Sequence, residues 1–173
     1  PNTLDQKCNS GRRMSSEDSI SQWFASHMEH TAMAGSLAAP LIPAAADLVV
    51  QTLLNDGKVL ACANGSANTL AQYLCTSLLG RLDQARPGLP AVNLGADATT
   101  YSAICRDNRF NETFARQVTA LGKPGDTLMV FVDDGHKANL IQAIQAAHDR
   151  EINVIVLSAR EKTERLAESA NFR

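Results

Sequence analysis

Four short apolar runs, separated by segments with helical periodicity, constrain the fold of this chain more than any other feature. They read KVLACA, PAVNL, TLMVFV and NVIVLS and begin at residues 58, 90, 127 and 153. Strands that are apolar on both faces and alternate with helices are typical of a parallel sheet with helices on both sides. The sequence therefore predicts an α/β fold with a parallel sheet and two extra helices in front of it.

The helical segments follow from the spacing of apolar residues. The stripe Ile20, Trp23, Phe24 and Met28 predicts a helix from near Ser16. A second helix has Pro43 in its first turn and ends at 55–57, and a third runs from the first strand toward Leu82. Further helices are predicted around residues 111 to 121, after the third strand, and at 161 to 169, whereas 95 to 108 is expected to be a polar loop.

Composition excludes several classes of function. The net charge is −2, so the chain has no basic surface for nucleic acid. No apolar run approaches the roughly 20 residues that span a bilayer. The four cysteines, Cys8, Cys62, Cys75 and Cys105, form no CxxC pair, and three of them lie in apolar patterns, which indicates a reduced, cytoplasmic protein.

Two segments at the ends of the chain lack the pattern of the rest. Residues 1 to 14 have no periodicity, and we interpret them as an irregular N-terminal segment or a cloning remnant. Residues 15 to 173 are predicted to form one domain. Because SANFR ends soon after a helical segment, we expect the gene product to extend further.

In parallel sheets, ligands bind where the strands end, so three loops, 63–68, 95–108 and 132–138, define the predicted site. In the first loop, Asn64-Gly65-Ser66 opens a helix, and Gly65 allows the backbone to approach a ligand. The free N–H groups of a helix N-terminus bind phosphate well. A simple turn with Ser66 as a helix cap fits the same residues, and this alternative stays open.

The loop after the third strand reads VDDGHKAN and is unlike a phosphate loop. Asp133 and Asp134 would repel a phosphate, and His136 and Lys137 only partly offset them. The alternative is that the two acids stabilise a helix N-terminus, with Asp134 as the cap. A metal site made from this pair lacks other obvious ligands. His27 and His30 are interpreted as packing or surface residues.

At this point several blocks of sequence resemble the SIS-domain phosphoheptose isomerases and their relative DiaA, the DnaA initiator-associating protein. The blocks are ANGSANTLAQYLCTSLLGRL, RPGLPAVNL, RDNRFNETFARQVTALGKPGD and IQAIQAAHDRE, in the same order as in the family. The resemblance covers roughly residues 16 to 170. It implies a Rossmann-like, three-layer αβα sandwich, a homotetramer, and sugar-phosphate binding. It also implies that the C-terminal strand and helix of the family are missing from this chain.

The resemblance also assigns positions. The family's CGNGGS loop corresponds to residues 62–67, which keep Asn64 and Gly65, with Ser66 beside them. The family's Asn-Asp pair becomes Arg106-Asp107, and its second phosphate loop becomes Val132 to Lys137, with Asp133 and Asp134 in place of hydroxyls. Tyr73 and Ser77 occupy the places of the isomerases' His and Glu. Zinc is frequent in these isomerases, but its ligands are replaced here, so no metal or other cofactor is expected.

The replaced residues decide the functional prediction. Aldose–ketose isomerisation requires a positioned base and acid, and neither tyrosine nor serine does this work near neutral pH without an activating partner. We therefore predict a non-catalytic, DiaA-like oligomeric interaction module with DnaA as a possible partner. The alternative is a sedoheptulose 7-phosphate isomerase that uses Asp107, Glu112 or a further C-terminal helix. A third is a sugar-phosphate sensor. The apolar first two helices predict a homo-oligomer.

Overall fold

The computed structural model describes residues 15–82, 85–106, 109–133 and 137–158. The contacts within the chain divide it into two compact units, and the boundary along the sequence lies between Pro40 and Leu41. The first unit contains helix α1 (Ser16–Ala38). Its first turn is a capping box, in which the Ser15 hydroxyl accepts a hydrogen bond from the Asp18 N–H at 3.0 Å, and the Asp18 carboxylate accepts one from the Ser15 N–H at 3.3 Å. The predicted start of this helix is confirmed.

Helix α1 has no buried residue, although its sequence is rich in apolar side chains. The indole of Trp23 contacts Phe24 edge-on, with ring centroids 5.2 Å apart, and stacks on His27 at 5.5 Å. Nδ1 of His30 lies 3.4 Å from the Ser26 hydroxyl. Both histidines are thus exposed side chains. Within the described residues, no single helix is long and apolar enough to cross a membrane; α1 and α2 (Ile42–Leu54) meet that requirement only as a pair, by length and composition.

The second unit alternates strands and helices along the chain. After α2 come β1 (Val59–Ala63), a 3₁₀ turn (Gly65–Ala67), α3 (Asn68–Leu79), β2 (Ala91–Asn93), α4 (Ala98–Arg106), a second 3₁₀ turn (Phe110–Glu112), α5 (Thr113–Leu121), β3 (Thr127–Val132), α6 (Ala138–His148) and β4 (Asn153–Ser158). Pro43 lies in the first turn of α2, as predicted, where a missing N–H costs no hydrogen bond.

The four strands form one parallel sheet in the order β2-β1-β3-β4. Val59 of β1 aligns with Ala91 of β2 and with Thr127 of β3, and Thr127 aligns with Asn153 of β4. Since all strands run in the same direction, their carboxyl ends lie along one edge of the sheet. The predicted parallel α/β sheet is confirmed.

Side chains alternate between the two faces of the sheet and build two apolar clusters. Leu60 and Cys62 of β1 belong to one cluster, which includes Phe114 of α5 and Ile144 of α6. The alternate β1 residues belong to the other cluster, with Ala71 and Cys75 of α3 and Val49 of α2. Helices therefore cover both faces, as expected for strands that are apolar on both sides.

The structure corrects the sequence prediction in the segment between β2 and α5. Residues 95 to 108 were expected to be a polar loop, but helix α4 occupies most of the segment. The Asp97 carboxylate caps this helix by accepting from the N–H groups of Thr99 and Thr100 at 2.9 and 3.1 Å. Helix α3 also ends earlier than predicted, at Leu79. The predicted N-terminal segment 1 to 14 and the helix at 161 to 169 lie outside the described residues, and the single-domain assignment stays a prediction.

The amino edge of the sheet has a closed polar network. The Asp126 carboxylate is 1% exposed and accepts hydrogen bonds from the Lys58 N–H at 2.9 Å, the Lys58 Nζ at 2.7 Å and the Lys123 N–H at 2.8 Å. Beside it, the buried hydroxyls of Thr52 and Thr127 lie 2.7 Å apart. These bonds join the turns before β1 and β3 to each other.

Candidate functional site

An open cavity of about 580 Å³ lies at the carboxyl edge of the sheet, where β1, β3 and β4 end. Its polar lining comes from Ser66, Thr69, Asp133 and Ser158. Its apolar lining comes from Ala67, Leu70, Phe131, Val132 and Leu157. This is the edge at which parallel α/β sheets bind ligands, so the cavity is the candidate site.

The loop after β1 reaches this cavity through a left-handed glycine. Gly65 has φ +53°, and a Cβ built on it would meet no atom within 4 Å. The backbone conformation, not crowding, is therefore what favours glycine here. The open space beside Gly65 also leaves room for a ligand to approach the main chain.

The structure bears on the interpretation of Ser66 as a helix cap. The residue that caps α3 is Ala67, which has no side chain able to bond the helix N–H groups. Ser66 offers only its backbone carbonyl to the following turn, where it accepts from the Thr69 hydroxyl at 2.7 Å. The Ser66 hydroxyl lines the cavity, and no side chain caps the N-terminus of α3. Ser66 is therefore not the cap of α3, and its role toward a ligand stays a prediction.

Asn64 is held by a residue that the sequence analysis did not single out. Its Nδ2 donates to Oδ1 of Asn139 at 3.0 Å, and Nδ2 of Asn139 donates back to Oδ1 of Asn64 at 2.7 Å. Asn139 is fully buried in the first turn of α6. The sequence shows only an asparagine near the start of the helix after β3, and its burial was revealed by the structure.

The loop after β3 is described only in part. Asp133 lines the cavity as predicted, whereas Asp134 and His136 lie outside the described residues. The residue in the capping position of α6 is Lys137, with no hydrogen bond from its side chain to the helix N–H groups. The interpretation of Asp134 as the cap concerns a residue outside the described part of the chain and stays a prediction.

Tyr73 and Ser77 lie on α3 and do not line the cavity. The Tyr73 side chain is 65% exposed, and Ser77 is half-buried. The Ser77 carbonyl accepts from Nη2 of Arg86 at 2.6 Å, and the Leu78 carbonyl accepts from Nη1 at 2.8 Å, so this arginine covers the C-terminal end of the helix. Among the described contacts, neither hydroxyl has a basic partner that would activate it.

The segment between β2 and α5 contributes no described residue to the lining of the cavity. Arg106 is the exposed last residue of α4, and Asp107 lies outside the described residues.

Two pKa values are shifted in this segment. The Asp97 carboxylate accepts hydrogen bonds from Thr100, and these hold the pKa of Asp97 below its usual range, with the bond from the hydroxyl contributing most and the bond from the N–H next. Burial, with a smaller contribution from Cys105, raises the pKa of Tyr101, which packs against Phe114. Glu112 forms an exposed ion pair with Arg109 at 3.0 Å.

The described residues support neither a metal site nor a reactive thiolate at Cys62 or Cys75. Within the parts of the chain that are described, no three His, Cys, Asp or Glu side chains lie close enough together to hold a metal ion. The residues in the family's zinc-ligand places, Tyr73 and Ser77, do not fit zinc, which prefers imidazole, thiolate and carboxylate. Burial raises the pKa of Cys62 to about 12 and that of Cys75 to about 11, so both thiols are protonated at neutral pH.

Comparison with known proteins identifies consistent relatives. A family profile described as "SIS domain" matches residues 22–159. The phosphoheptose isomerase of Chromohalobacter salexigens is 43% identical over 122 residues, which are 70% of this chain and 62% of that protein. The one from Methylococcus capsulatus is 37% identical over 148 residues, 86% of this chain and 76% of that protein. This chain thus spans less than two thirds of the first relative's length.

Two solved structures share the fold. A phosphoheptose isomerase from Francisella tularensis superposes with a TM-score of 0.77 at 36% identity, covering 84% of this chain and 75% of that one. The enzyme GmhA from Neisseria gonorrhoeae superposes with a TM-score of 0.81 at 33% identity, covering 89% of this chain and 82% of that one. Both are named phosphoheptose isomerases, in agreement with the sequence relatives.

Proposed function

This chain belongs to the SIS-domain family and to its phosphoheptose isomerase group, and from that premise we propose that it binds a phosphorylated seven-carbon sugar at the carboxyl edge of its sheet. The observation that carries the proposal is the loop Asn64-Gly65-Ser66. Gly65 has a left-handed conformation, and no side chain caps α3. The Asn68 N–H bonds the Gly65 and Ser66 carbonyls, so the N–H groups that would meet a phosphate are those of the turn at 65–67. Free N–H groups at a helix N-terminus are suited to phosphate.

The remaining cavity residues support a sugar better than a second phosphate. Ser66, Thr69 and Ser158 are hydroxyl-bearing residues of the lining, and Asp133 brings a carboxylate that can accept hydrogen bonds from sugar hydroxyls. A phosphate beside Asp133 would meet a like charge. We infer that the phosphate lies toward residues 65–67 and the sugar carbons toward Asp133.

The first candidate activity is isomerisation of sedoheptulose 7-phosphate, because the relatives of this chain are named for phosphoheptose isomerisation. The reaction moves protons between adjacent carbons beside a carbonyl and requires an acid and a base. Tyr73 and Ser77 do not supply them, so turnover requires Asp133, the carboxylate among the described lining residues, or groups outside the described residues.

Two measurements on the purified chain test this proposal. Calorimetry with sedoheptulose 7-phosphate should show binding that inorganic phosphate competes for, and a coupled assay should then show whether the bound sugar is converted to its aldose isomer. A failure of the wild-type chain to bind sedoheptulose 7-phosphate would contradict the sugar-phosphate proposal. Binding without turnover above the uncatalysed rate would contradict the isomerase activity alone.

A second candidate is a non-catalytic, DiaA-like interaction module, favoured by the exposed Tyr73 and the half-buried Ser77 at the places of an acid and a base. In this case the chain would bind a protein partner, with DnaA proposed from the resemblance alone. A pull-down of purified DnaA by this chain tests this candidate, and sedoheptulose 7-phosphate is added as a competitor in a parallel sample. Absence of a complex at micromolar concentrations would count against this candidate.

We further propose a cytoplasmic homotetramer. The apolar side chains of α1, none of them buried, are the support for self-association. Light scattering that shows a monomer at micromolar concentration would contradict the oligomer.

A further inference from the structure

We infer that Asn139 is a positioning residue for the ligand site: it fixes the carboxamide of Asn64 in a single orientation and thereby presents one Asn64 N–H to the ligand. This inference rests on the proposed function, because it concerns how the same site is prepared for a sugar phosphate. It is based on two hydrogen bonds that connect the loop after β1 to the helix after β3, and on a third within that helix.

The first step concerns the orientation of Asn139. Its Oδ1 accepts from the backbone N–H of Leu140 at 3.1 Å. A backbone N–H can only donate, so the atom that faces it must be the amide oxygen. Turning the Asn139 amide over would place two donors against each other inside the protein, where an unpaired polar group is expensive. The main chain of α6 therefore sets the direction of this side chain.

The second step transfers that direction to Asn64. Since Oδ1 and Nδ2 of Asn139 are both directed at Asn64, the Asn64 amide must offer its nitrogen to the first and its oxygen to the second. The reverse orientation would oppose donor to donor and acceptor to acceptor. The pair thus holds Asn64 in one of its two possible amide orientations, across 75 residues of sequence.

The third step concerns the amide hydrogen of Asn64 that the pair does not use. A carboxamide nitrogen has two hydrogens, and the pair uses one of those on Asn64. Asn139 is 0% exposed, whereas Asn64 is partly exposed and lies two residues before Ser66, which lines the cavity. The second Asn64 N–H is therefore the group of this pair that a phosphate or sugar oxygen can reach. Asn139 itself touches no ligand and acts only through Asn64.

The isosteric variant N139D gives a test that depends on pH. A carboxylate can accept from the Asn64 and Leu140 N–H groups but cannot donate to Asn64 Oδ1, whereas a protonated carboxyl can do both. At about pH 8 we expect N139D to bind sedoheptulose 7-phosphate about tenfold more weakly than wild type, since one hydrogen bond is replaced by a repulsion. Burial favours the protonated form, so at about pH 5 the difference from wild type should shrink to about twofold.

Two further variants separate positioning from general damage. N64A/N139A should bind no more weakly than N64A alone, because the effect of Asn139 passes through Asn64. N93D is the matched control: Asn93 is also a buried amide at a strand end, with its Nδ2 bonded to Gln72 at 3.0 Å and its Oδ1 to the Gly95 N–H at 2.8 Å. It should keep the wild-type affinity within about twofold at both pH values.

Several results would overturn the inference. They are an N139D affinity equal to wild type at both pH values, a loss that does not change with pH, or an N64A/N139A loss equal to the sum of the single losses. If the wild-type chain does not bind the sugar phosphate, the proposed function fails, and the inference is then judged without ligand. In that case NMR should show faster hydrogen exchange of the Asn64 side-chain amide in N139A than in wild type and N93D, and equal exchange would refute it.

Discussion

At the amino edge of the sheet, the Asp126 carboxylate accepts three hydrogen bonds and is 1% exposed. At the carboxyl edge, Ser66 and Asp133 face an open cavity, and the helix N-terminus beside them has no side-chain cap. The polar groups of this network at the first edge are hydrogen-bonded to one another, so they hold the turns before β1 and β3 together. Polar groups at the second edge are held in position but remain able to meet a ligand.

The Asn64–Asn139 pair belongs to the carboxyl edge but resembles the closed amino edge in its bonding. It satisfies part of each amide and leaves one hydrogen of Asn64 available. The comparison therefore separates two uses of buried polarity: Asp126 stabilises the fold, whereas Asn139 orients a group that another molecule can reach. This difference predicts that substitutions at the two edges will affect stability and binding separately.

The largest effect is expected at the amino edge. D126A removes the acceptor for the Lys58 ammonium and two N–H groups and should lower the free energy of unfolding by about 3 kcal/mol, since buried donors lose their partner. Urea denaturation followed by circular dichroism measures this. The control E112A breaks an exposed ion pair and should cost less than about 1 kcal/mol. Equal losses for the two variants would remove the distinction between closed and exposed polar groups.

Two glycines allow the edges to be compared directly. Gly65 has φ +53° at the carboxyl edge and Gly125 has φ +86° at the amino edge, and an added Cβ meets no atom within 4 Å at either. G65A and G125A should each cost about 1–2 kcal/mol of stability, because only the backbone conformation opposes a side chain. Only G65A should also weaken sugar-phosphate binding, by about tenfold, as the loop leaves its ligand-facing conformation. Equal binding losses from both variants would show that backbone strain weakens binding regardless of the edge at which the glycine lies.

A smaller effect concerns pH. The pKa of Asp97 is held low by the Thr100 hydroxyl and nearby N–H groups, so its carboxylate stabilises α4 above the ordinary aspartate pKa. This contribution is lost as the pH falls through the lowered pKa of the folded state. NMR chemical shifts of α4 should therefore show fraying in wild type in that acidic range and at all pH values in D97A. A wild-type helix that is unchanged below that range would contradict the capping role.

The smallest effect is a difference in thiol reactivity. Cys62 and Cys75 are buried with raised pKa values of about 12 and about 11, whereas Cys105 on α4 is only half-buried. Iodoacetamide at about pH 8 should therefore label Cys105 well before the other two, because the thiolate is the reacting form. Mass spectrometry of the digested protein measures the labelling. Fast labelling of Cys62 in the native protein would show that the strand under the loop opens readily.

Much of the fold could be predicted because its signals are local. The runs that became β1, β3 and β4 are apolar and short, and the stripe Leu70, Leu74 and Leu78 indicated α3. Helix α4 was missed although Tyr101, Ile104 and Cys105 have helical spacing and Asp97 is a good cap. Its two threonines and its small residues resemble a loop in composition, and none of its residues is buried.

The candidate site was predictable only in part. Gly65 and Ser66 were predicted for the site because a small polar loop between a strand and a helix is suited to a phosphate, while a simple turn fitted the same residues. The interpretation of Asp134 as a cap stays a prediction, because this residue lies outside the described part of the chain, and the described helix α6 begins at Ala138. Nothing in the spacing of residues indicated that Leu157 and Ser158 would share a cavity with Ser66.

The sequence by itself determined the alternation of strands and helices and the membership of the SIS-domain family. These depend on apolar periodicity and residue identity, both of which are local. The left-handed conformation that favours glycine at position 65 was shown by the structure. Only the tertiary structure decided that Asn139 faces Asn64 and that Asp126 faces Lys58, pairs separated by 75 and 68 residues. Such contacts arise from the register of parallel strands, which brings distant turns to one edge and gives each buried polar group its partner.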